Sequence, residues 1–423
     1  MGKKKKIWAF QEKIIAHTYK ENINAKEGIF MSNHKSLYID TEALSTLALV
    51  QAGLISPVNK LMNKEEARIV DETKFYKGVP SPFAFVLAPK GKKNHQILQS
   101  LKVGETVNLI NEKKKVGELT VEETFQIDPT QRLQNIYGTS DPSHPGVKNT
   151  TSRLGKIAVS GNYTVNYPLI EDNIKRIQSM ITKTGAKFVS SIMLAANPFN
   201  RAHERMIRQA ISDSDLLIIF LRKPFTTEGL RYDIRHNALS TFIDNFLPRN
   251  KVLVIPFENT YIFAGYNELI LDAILAKNYG CNQLVVGKNH GGLGLYYDKN
   301  RLSSIFDHCK NIDIDIKTVD EYVYCDMCKT LVSTQTCPHG QHHHVHYHSE
   351  AIMKLIQSGL IPPPILVRKE VSANILASLF PDRFTNLQEM HYSLMPGSGL
   401  LEQQSEEQFY LKLIELYQTT SLT

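Results

Sequence analysis

The chain has 423 residues, 42% of them hydrophobic and 22% charged, and a formal net charge of +7. That balance is ordinary for a globular protein, and the length allows two or three domains. No run of about 18 apolar residues occurs, which excludes a transmembrane helix, and Lys3 to Lys6 lead into the mixed segment Ile7 to Ala16 instead of an apolar signal core.

Residues 1 to about 165 read as β-rich. Short apolar runs, Phe83–Leu87, Thr106–Ile110 and Val116–Val121, are separated by Gly, Pro, Asn and Lys, which predicts small antiparallel strands in a compact barrel or sandwich. Tyr137-Gly138-Thr139 and Asp141 to Val147 predict a turn-rich loop that serves as a linker or a binding element.

From about residue 168 strand-like runs at Lys187–Leu194, Leu216–Phe220, Lys251–Phe257 and Gln283–Gly287 alternate with helical periodicity at Ala202–Ser212, Leu230–Leu247 and Asn267–Asn278. Alternation of this kind makes a parallel sheet with helices on its faces. Such sheets bind ligands beyond the carboxyl ends of their strands, so residues after Leu194, Phe257 and Gly287 are the candidates. Asn197-Pro198-Phe199-Asn200-Arg201-Ala202-His203 opens a helix, with Asn200 and His203 on one face. Free N–H groups at a helix start suit phosphate, and His203 can donate to an oxygen on which charge builds. The bland alternative is a simple cap with a surface histidine. Gly287 to Gly294 brings Lys288 and His290 among glycines, where backbone can approach an anion.

Five cysteines, three of them within thirteen residues, suit a metal in a reducing compartment, with the cytoplasm as the expected location. Cys325, Cys328 and Cys337 with one following histidine predict a closed, structural zinc site. His339, His342, His343, His344, His346 and His348 are all within reach; His342 is the choice because its spacing lets a loop return to the metal. The basic residues are dispersed apart from Lys3–Lys6 and Lys113–Lys115, and no zinc-finger helix or aromatic RNA-binding motif occurs. Nucleic acid and membrane are therefore not expected partners, while anionic small molecules are.

Together these segments resemble the ATP sulfurylase (sulfate adenylyltransferase) family, in its zinc-containing bacterial form, across about residues 28–380. The carriers are Gly53 to Asn63, Tyr137-Gly138-Thr139 with His144-Pro145-Gly146-Val147, Asn278-Tyr279-Gly280-Cys281, Val285 to Gly292, the cysteine motif and Leu360-Ile361-Pro362-Pro363-Pro364. The resemblance implies a PUA-like domain over 1–165 and a Rossmann-like nucleotidyltransferase domain over 166–320. A zinc subdomain would follow over 321–382, then a polar tail with one amphipathic helix over 383–423. It implies adenylyl transfer from ATP to sulfate, magnesium accompanying the nucleotide, and a homo-oligomer. It places catalytic roles on Asn197, Asn200, Arg201 and His203, and nucleotide contacts on Gly265, Gly287, Lys288, His290 and Gly291.

Several anion-binding positions depart from the family pattern. Leu194, Ala195 and Ala196 stand where the family has Gln-x-Arg, Asn200 replaces the first histidine, Lys288 replaces Arg and Asn289 replaces Asp. Losing an arginine from an oxyanion site removes contacts of about 1.5–3 kcal/mol per charge-assisted hydrogen bond. Three readings follow: a sulfate adenylyltransferase in which Lys288, His203, Arg201 or Arg222 compensates, a nucleotidyltransferase with a less anionic acceptor, and an inactive homologue with a binding role.

Overall fold

Why the carboxyl edge of one sheet becomes the functional face follows from how its strands are ordered. The protein was analysed as a computed structural model, which describes residues 35–223, 229–258, 267–287, 309, 311–394 and 401–417. In the N-terminal part the chain forms β1 (Ser36–Tyr38), α1 (Thr41–Gln51), α2 (Lys64–Thr73), the small hairpin β2 (Phe75–Tyr76) and β3 (Val79–Pro80), β4 (Leu87–Pro89), α3 (Lys92–Ser100), β5 (Thr106–Asn111), β6 (Lys114–Gln126), α4 (Pro129–Tyr137), α5 (Pro145–Thr151) and β7 (Leu154–Val165). One sheet runs in the order β1-β5-β6-β7-β4. Its β5–β6 hairpin turns on Glu112 and Lys113, both at positive φ, the backbone twist that a two-residue hairpin favours.

Two expectations for this region need correction. The edge pair β1–β5 is parallel, not antiparallel. The run Phe83–Leu87 is mainly irregular and enters a strand only at Leu87. It is apolar because Phe83, Ala84, Phe85 and Leu87 are buried, and its backbone finds other partners: Ala84 N–H donates to Asp71 at 2.9 Å and the Phe85 carbonyl accepts from Met62 N at 2.9 Å. Side-chain burial, not strand pairing, explains that composition.

The loop before β7 is likewise ordered. α4 ends at Gly138, which sits in the left-handed region at φ 69°, and α5 starts with His144 as its cap. His144 Nδ1 accepts from the backbone N–H groups of Gly146 and Val147, and Gly146 is glycine because a Cβ there would stand 2.4 Å from the Tyr137 ring.

The second sheet follows α6 (Pro168–Thr184). It comprises β8 (Val189–Leu194), β9 (Leu216–Lys223), β10 (Val252–Glu258), β11 (Gln283–Gly287) and β12 (Asp315–Val319), interleaved with α7 (Arg201–Ser212), α8 (Tyr232–Phe246) and α9 (Glu268–Asn278). Every pairing is parallel, in the order β10-β9-β8-β11-β12. Apart from the edge strand β12, whose Asp315 and Lys317 are polar, the strands are mostly apolar because both faces are covered. Met193, Ile218 and Phe220 pack with α6, α9 and the N-terminal core, while Ile192, Leu194, Ile219 and Leu221 pack with α7 and α8. The chain steps from β8 to β9 to β10 in one direction and returns to the other side of β8 with β11. The switch point, where such sheets open a crevice, therefore lies between β8 and β11.

A small antiparallel sheet, β14-β13-β15, is built from β13 (Tyr322–Cys325), β14 (Thr330–Ser333) and β15 (His344–Val345). Four helices follow: α10 (Ser349–Gln357), α11 (Lys369–Leu379), α12 (Arg383–Leu394) and α13 (Glu406–Tyr417). The segment expected as a polar tail thus holds two helices, and Phe384, Tyr410 and Ile414 are buried. No described helix is long and apolar enough to cross a membrane.

Candidate functional site at the carboxyl edge of the parallel sheet

Beyond Leu194 the chain leaves β8 through Ala195 and Ala196, the latter held at φ 51° although it is not glycine, and passes a cis bond between Asn197 and Pro198. Asn197 is engaged with the backbone. Its Oδ1 accepts from Leu230 N–H at 2.9 Å and so ties down the segment that leads into α8. Gly229, at φ 89°, makes this approach possible, because a Cβ there would lie 2.2 Å from the Asn197 amide.

Asn200 caps α7. Its Oδ1 accepts from Ala202 N–H at 3.0 Å and His203 N–H at 3.2 Å, and His203 Nδ1 accepts in return from Asn200 N–H at 3.2 Å. The Arg201 N–H is taken by the Leu366 carbonyl at 2.8 Å. The expectation that this helix start offers free N–H groups to phosphate is therefore corrected: the first three are occupied by the protein itself. Burial pushes the His203 imidazole down to about 4, so it is neutral at physiological pH, and with Nδ1 accepting, its proton sits on Nε2.

A cleft of about 530 Å³ opens at the switch point, between the carboxyl ends of β8, β11 and β12. Asn200, His203 and Ala195 line one side, Gly287 the floor, and Asp320, Glu321 and Tyr322 another side; Tyr347 and Ser349, from beyond the cysteine cluster, complete it. No arginine or lysine side chain lines it among the described residues. Asp320 accepts from the Ser333 hydroxyl at 2.8 Å and Glu321 stands 3.4 Å from His346, so both acids are tied to the small sheet.

The two arginines expected to compensate are held elsewhere. Arg201 donates to the Pro364 carbonyl at 3.1 Å and pairs with Glu204 at 3.2 Å. Arg222, at the end of β9, is clamped between Glu268 and Asp272 on α9, the latter at 2.7 Å. Buried carboxylates claim both guanidinium groups. Gly287 ends β11 at the cleft, whereas Lys288, His290, Gly291 and Gly265 lie outside the described residues.

One arginine at this edge was not singled out from the sequence. Arg235, in the first turn of α8, is 2% exposed and donates from Nη1 to the Ala195 carbonyl at 2.5 Å. Its neighbours along the same stripe, Ala238, Leu239 and Phe242, are apolar and buried. A charged residue at an apolar helix position was the signal available in the sequence.

The cysteine cluster forms between β13 and the turn after β14. His339 Nδ1 lies 3.5 Å from Cys325 Sγ, 3.3 Å from Cys328 Sγ and 3.6 Å from Cys337 Sγ, with Cys328 and Cys337 sulfurs 3.9 Å apart. A tetrahedral ion at about 2.3 Å from sulfur and about 2.0–2.1 Å from nitrogen implies edges of about 3.6 Å and about 3.8 Å, so the four donors fit a metal ion. The choice of His342 is corrected. Its ring folds back over Gly340 and lies against His343, with ring centroids 4.1 Å apart, while His339 Nδ1 stands among the sulfurs.

Fold and site together define an α/β protein whose parallel sheet opens a cleft at its switch point, with Tyr347 and Ser349, just beyond a Cys3His cluster able to hold a metal ion, completing its lining. Residues 171–378 match the ATP-sulfurylase family and residues 10–167 the PUA-like domain. The chain is 27% identical over 353 residues to a sulfate adenylyltransferase of Chloroflexus aurantiacus, covering 81% of this chain and 91% of the relative. It is 29% identical over 342 residues to one of Psychrobacter cryohalolentis, covering 77% and 81%. A solved structure, the hexameric APS kinase from Thiobacillus denitrificans, shares the fold with a TM-score of 0.62 at 17% identity, over 90% of this chain and 72% of that one. The chain thus carries a PUA-like domain followed by an ATP-sulfurylase domain.

Proposed function

We propose that the protein transfers the adenylyl group of ATP to sulfate and releases pyrophosphate. The family match over the whole parallel-sheet domain carries this reading, and the relatives' names favour it over a different acceptor or an inactive homologue. In the reaction a sulfate oxygen bonds to the α-phosphorus, the bond from that phosphorus to the β-phosphate oxygen breaks, and its electron pair leaves on pyrophosphate. No side chain need act as a nucleophile; the protein aligns two anions and neutralises charge. Magnesium enters with ATP and offsets the phosphate charge. His203 is the group best placed to act: neutral, with Nε2–H as its donor and lining the cleft, it gives a hydrogen bond to an oxygen that gains charge. Asn200 positions it.

The same reading gives the cluster of Cys325, Cys328, Cys337 and His339 a zinc ion with a structural role, since four protein ligands leave no open position. Its contribution to the site is to hold Tyr347 and Ser349 at the cleft. The test is sulfate-dependent pyrophosphate release from ATP and magnesium by the purified protein. Release is expected, and release that does not respond to sulfate would overturn the proposal.

A further inference from the structure

The structure assigns Arg235 as the guanidinium that holds an oxygen of the bound oxyanion at the end of β8. This inference rests on the adenylyl-transfer reading above. Leu194, Ala195 and Ala196 offer no polar side chain at that strand end, and Arg201 and Arg222 are claimed by Glu204, Glu268 and Asp272. The first three N–H groups of α7 are filled by Asn200 and Leu366. An oxyanion arriving here must therefore find its positive charge on another element.

Arg235 is not among the residues that line the cleft, but its Nη1 bonds the carbonyl of Ala195, which is, and its bonding capacity is unmet. It is 2% exposed, and Nη1 makes its hydrogen bond to the Ala195 carbonyl, which fixes the planar fork at the strand terminus. The Tyr232 ring, 6.0 Å from its Cζ, packs against the guanidinium. Nε and Nη2 are buried and have no partner. No carboxylate forms an ion pair with Arg235 among the described residues, whereas Lys223, on the same ring, is paired with Glu258 at 3.0 Å. Buried donors are almost always satisfied and buried charges almost always paired. A guanidinium with two spare donors matches the planar fork that binds oxyanions in bidentate fashion. As a strut for Ala195 alone it would need one neutral donor, and a lysine or glutamine would serve.

The test compares Arg235→Lys and Arg235→Met with the unmodified protein. Sulfate and ATP are each varied in the pyrophosphate-release assay, and melting temperature is measured in sodium sulfate against sodium chloride at matched ionic strength. The expected result is a sulfate KM raised about 10- to 100-fold in Arg235→Met, the size of one charge-assisted hydrogen bond. The ATP KM should stay within about threefold, with partial recovery in Arg235→Lys. Sulfate raises both melting temperatures by its general salt effect, and should raise that of the unmodified protein by more than that of Arg235→Met. Equal shifts in both KM values, or the same sulfate stabilisation in both proteins, would overturn the assignment and leave Arg235 as a structural strut. If the unmodified protein releases no sulfate-dependent pyrophosphate, the adenylyl-transfer reading fails. The melting comparison then decides the assignment alone, and Arg235→Lys, if it melts like the parent, guards against a variant that merely misfolds.

Discussion

His203 Nδ1 accepts the backbone N–H of Asn200 at 3.2 Å, while Asn200 Oδ1 accepts the backbone N–H of His203 at the same distance. This reciprocal cap does two things at once. It starts α7, and it leaves the imidazole with one donor, Nε2–H, at the cleft. A lysine at position 203 could offer charge to an anion but could not close the cap.

Burial of the His203 imidazole makes stability pH-dependent in a definite direction. His203 has a folded value of about 4 against an ordinary 6.5, so between these values the unfolded chain binds the extra proton and the folded one does not. Stability therefore rises with pH through that window and the contribution is complete above about 6.5. Melting temperature measured from pH 4 to pH 7 should climb less steeply in His203→Gln than in the parent. A parallel pair of curves would show that His203 is not the titrating group. In the assay, His203→Leu, which removes the Nε2–H donor, should lower turnover about 100-fold, the usual size for a lost donor to a developing charge.

Arg222 bridges Glu268 and Asp272, and Asp272 is fully buried. Asp272→Asn leaves a buried guanidinium short of charge and should cost about 3 kcal/mol, within the range for breaking such a pair. Urea unfolding would measure this, and a loss below about 0.5 kcal/mol would place the pair among weak surface contacts. Replacing Arg222 and both acids together by apolar residues should cost less than the single change.

Metal content separates the histidines. His339→Ala should lower bound zinc below one ion per chain and reduce melting temperature, whereas His342→Ala should leave both unchanged, because only the His339 ring stands among the three sulfurs. Elemental analysis after gel filtration reads the outcome. Chelation should also weaken the cleft, since Tyr347 and Ser349 line it from the segment just beyond the cluster.

Gly229→Ala should destabilise the strand-end turn by about 2 kcal/mol or more, since φ 89° strains any other residue and the new methyl would meet the Asn197 amide. Asn197→Ala removes the acceptor for Leu230 N–H and should have a similar sign with a smaller cost, about 1–2 kcal/mol. Thermal unfolding of the two single variants and the double variant tests this, and costs that simply add would argue against a shared contact.

Apolar runs located β8, β10 and β11 to within two residues and β9 to within three, because strands covered on both faces are mostly apolar, but not the edge strand β12, where Asp315 and Lys317 break the pattern. A cap at this helix start is legible in the sequence only as the bland alternative on Asn197-Pro198; Asn200 takes that role, through a local bond between neighbours. The three cysteines were legible from their spacing. What the tertiary structure alone decided is how each charged or ligating group is used. Arg201 meets Pro364 across 163 residues, Arg222 meets Asp272 across 50, and Arg235 meets Ala195 across 40. His339 and His342 differ only in where a short turn points their rings. Such partners are set by packing between distant segments, which no local pattern encodes, while apolar burial and backbone capping act within a few residues and leave their period in the sequence.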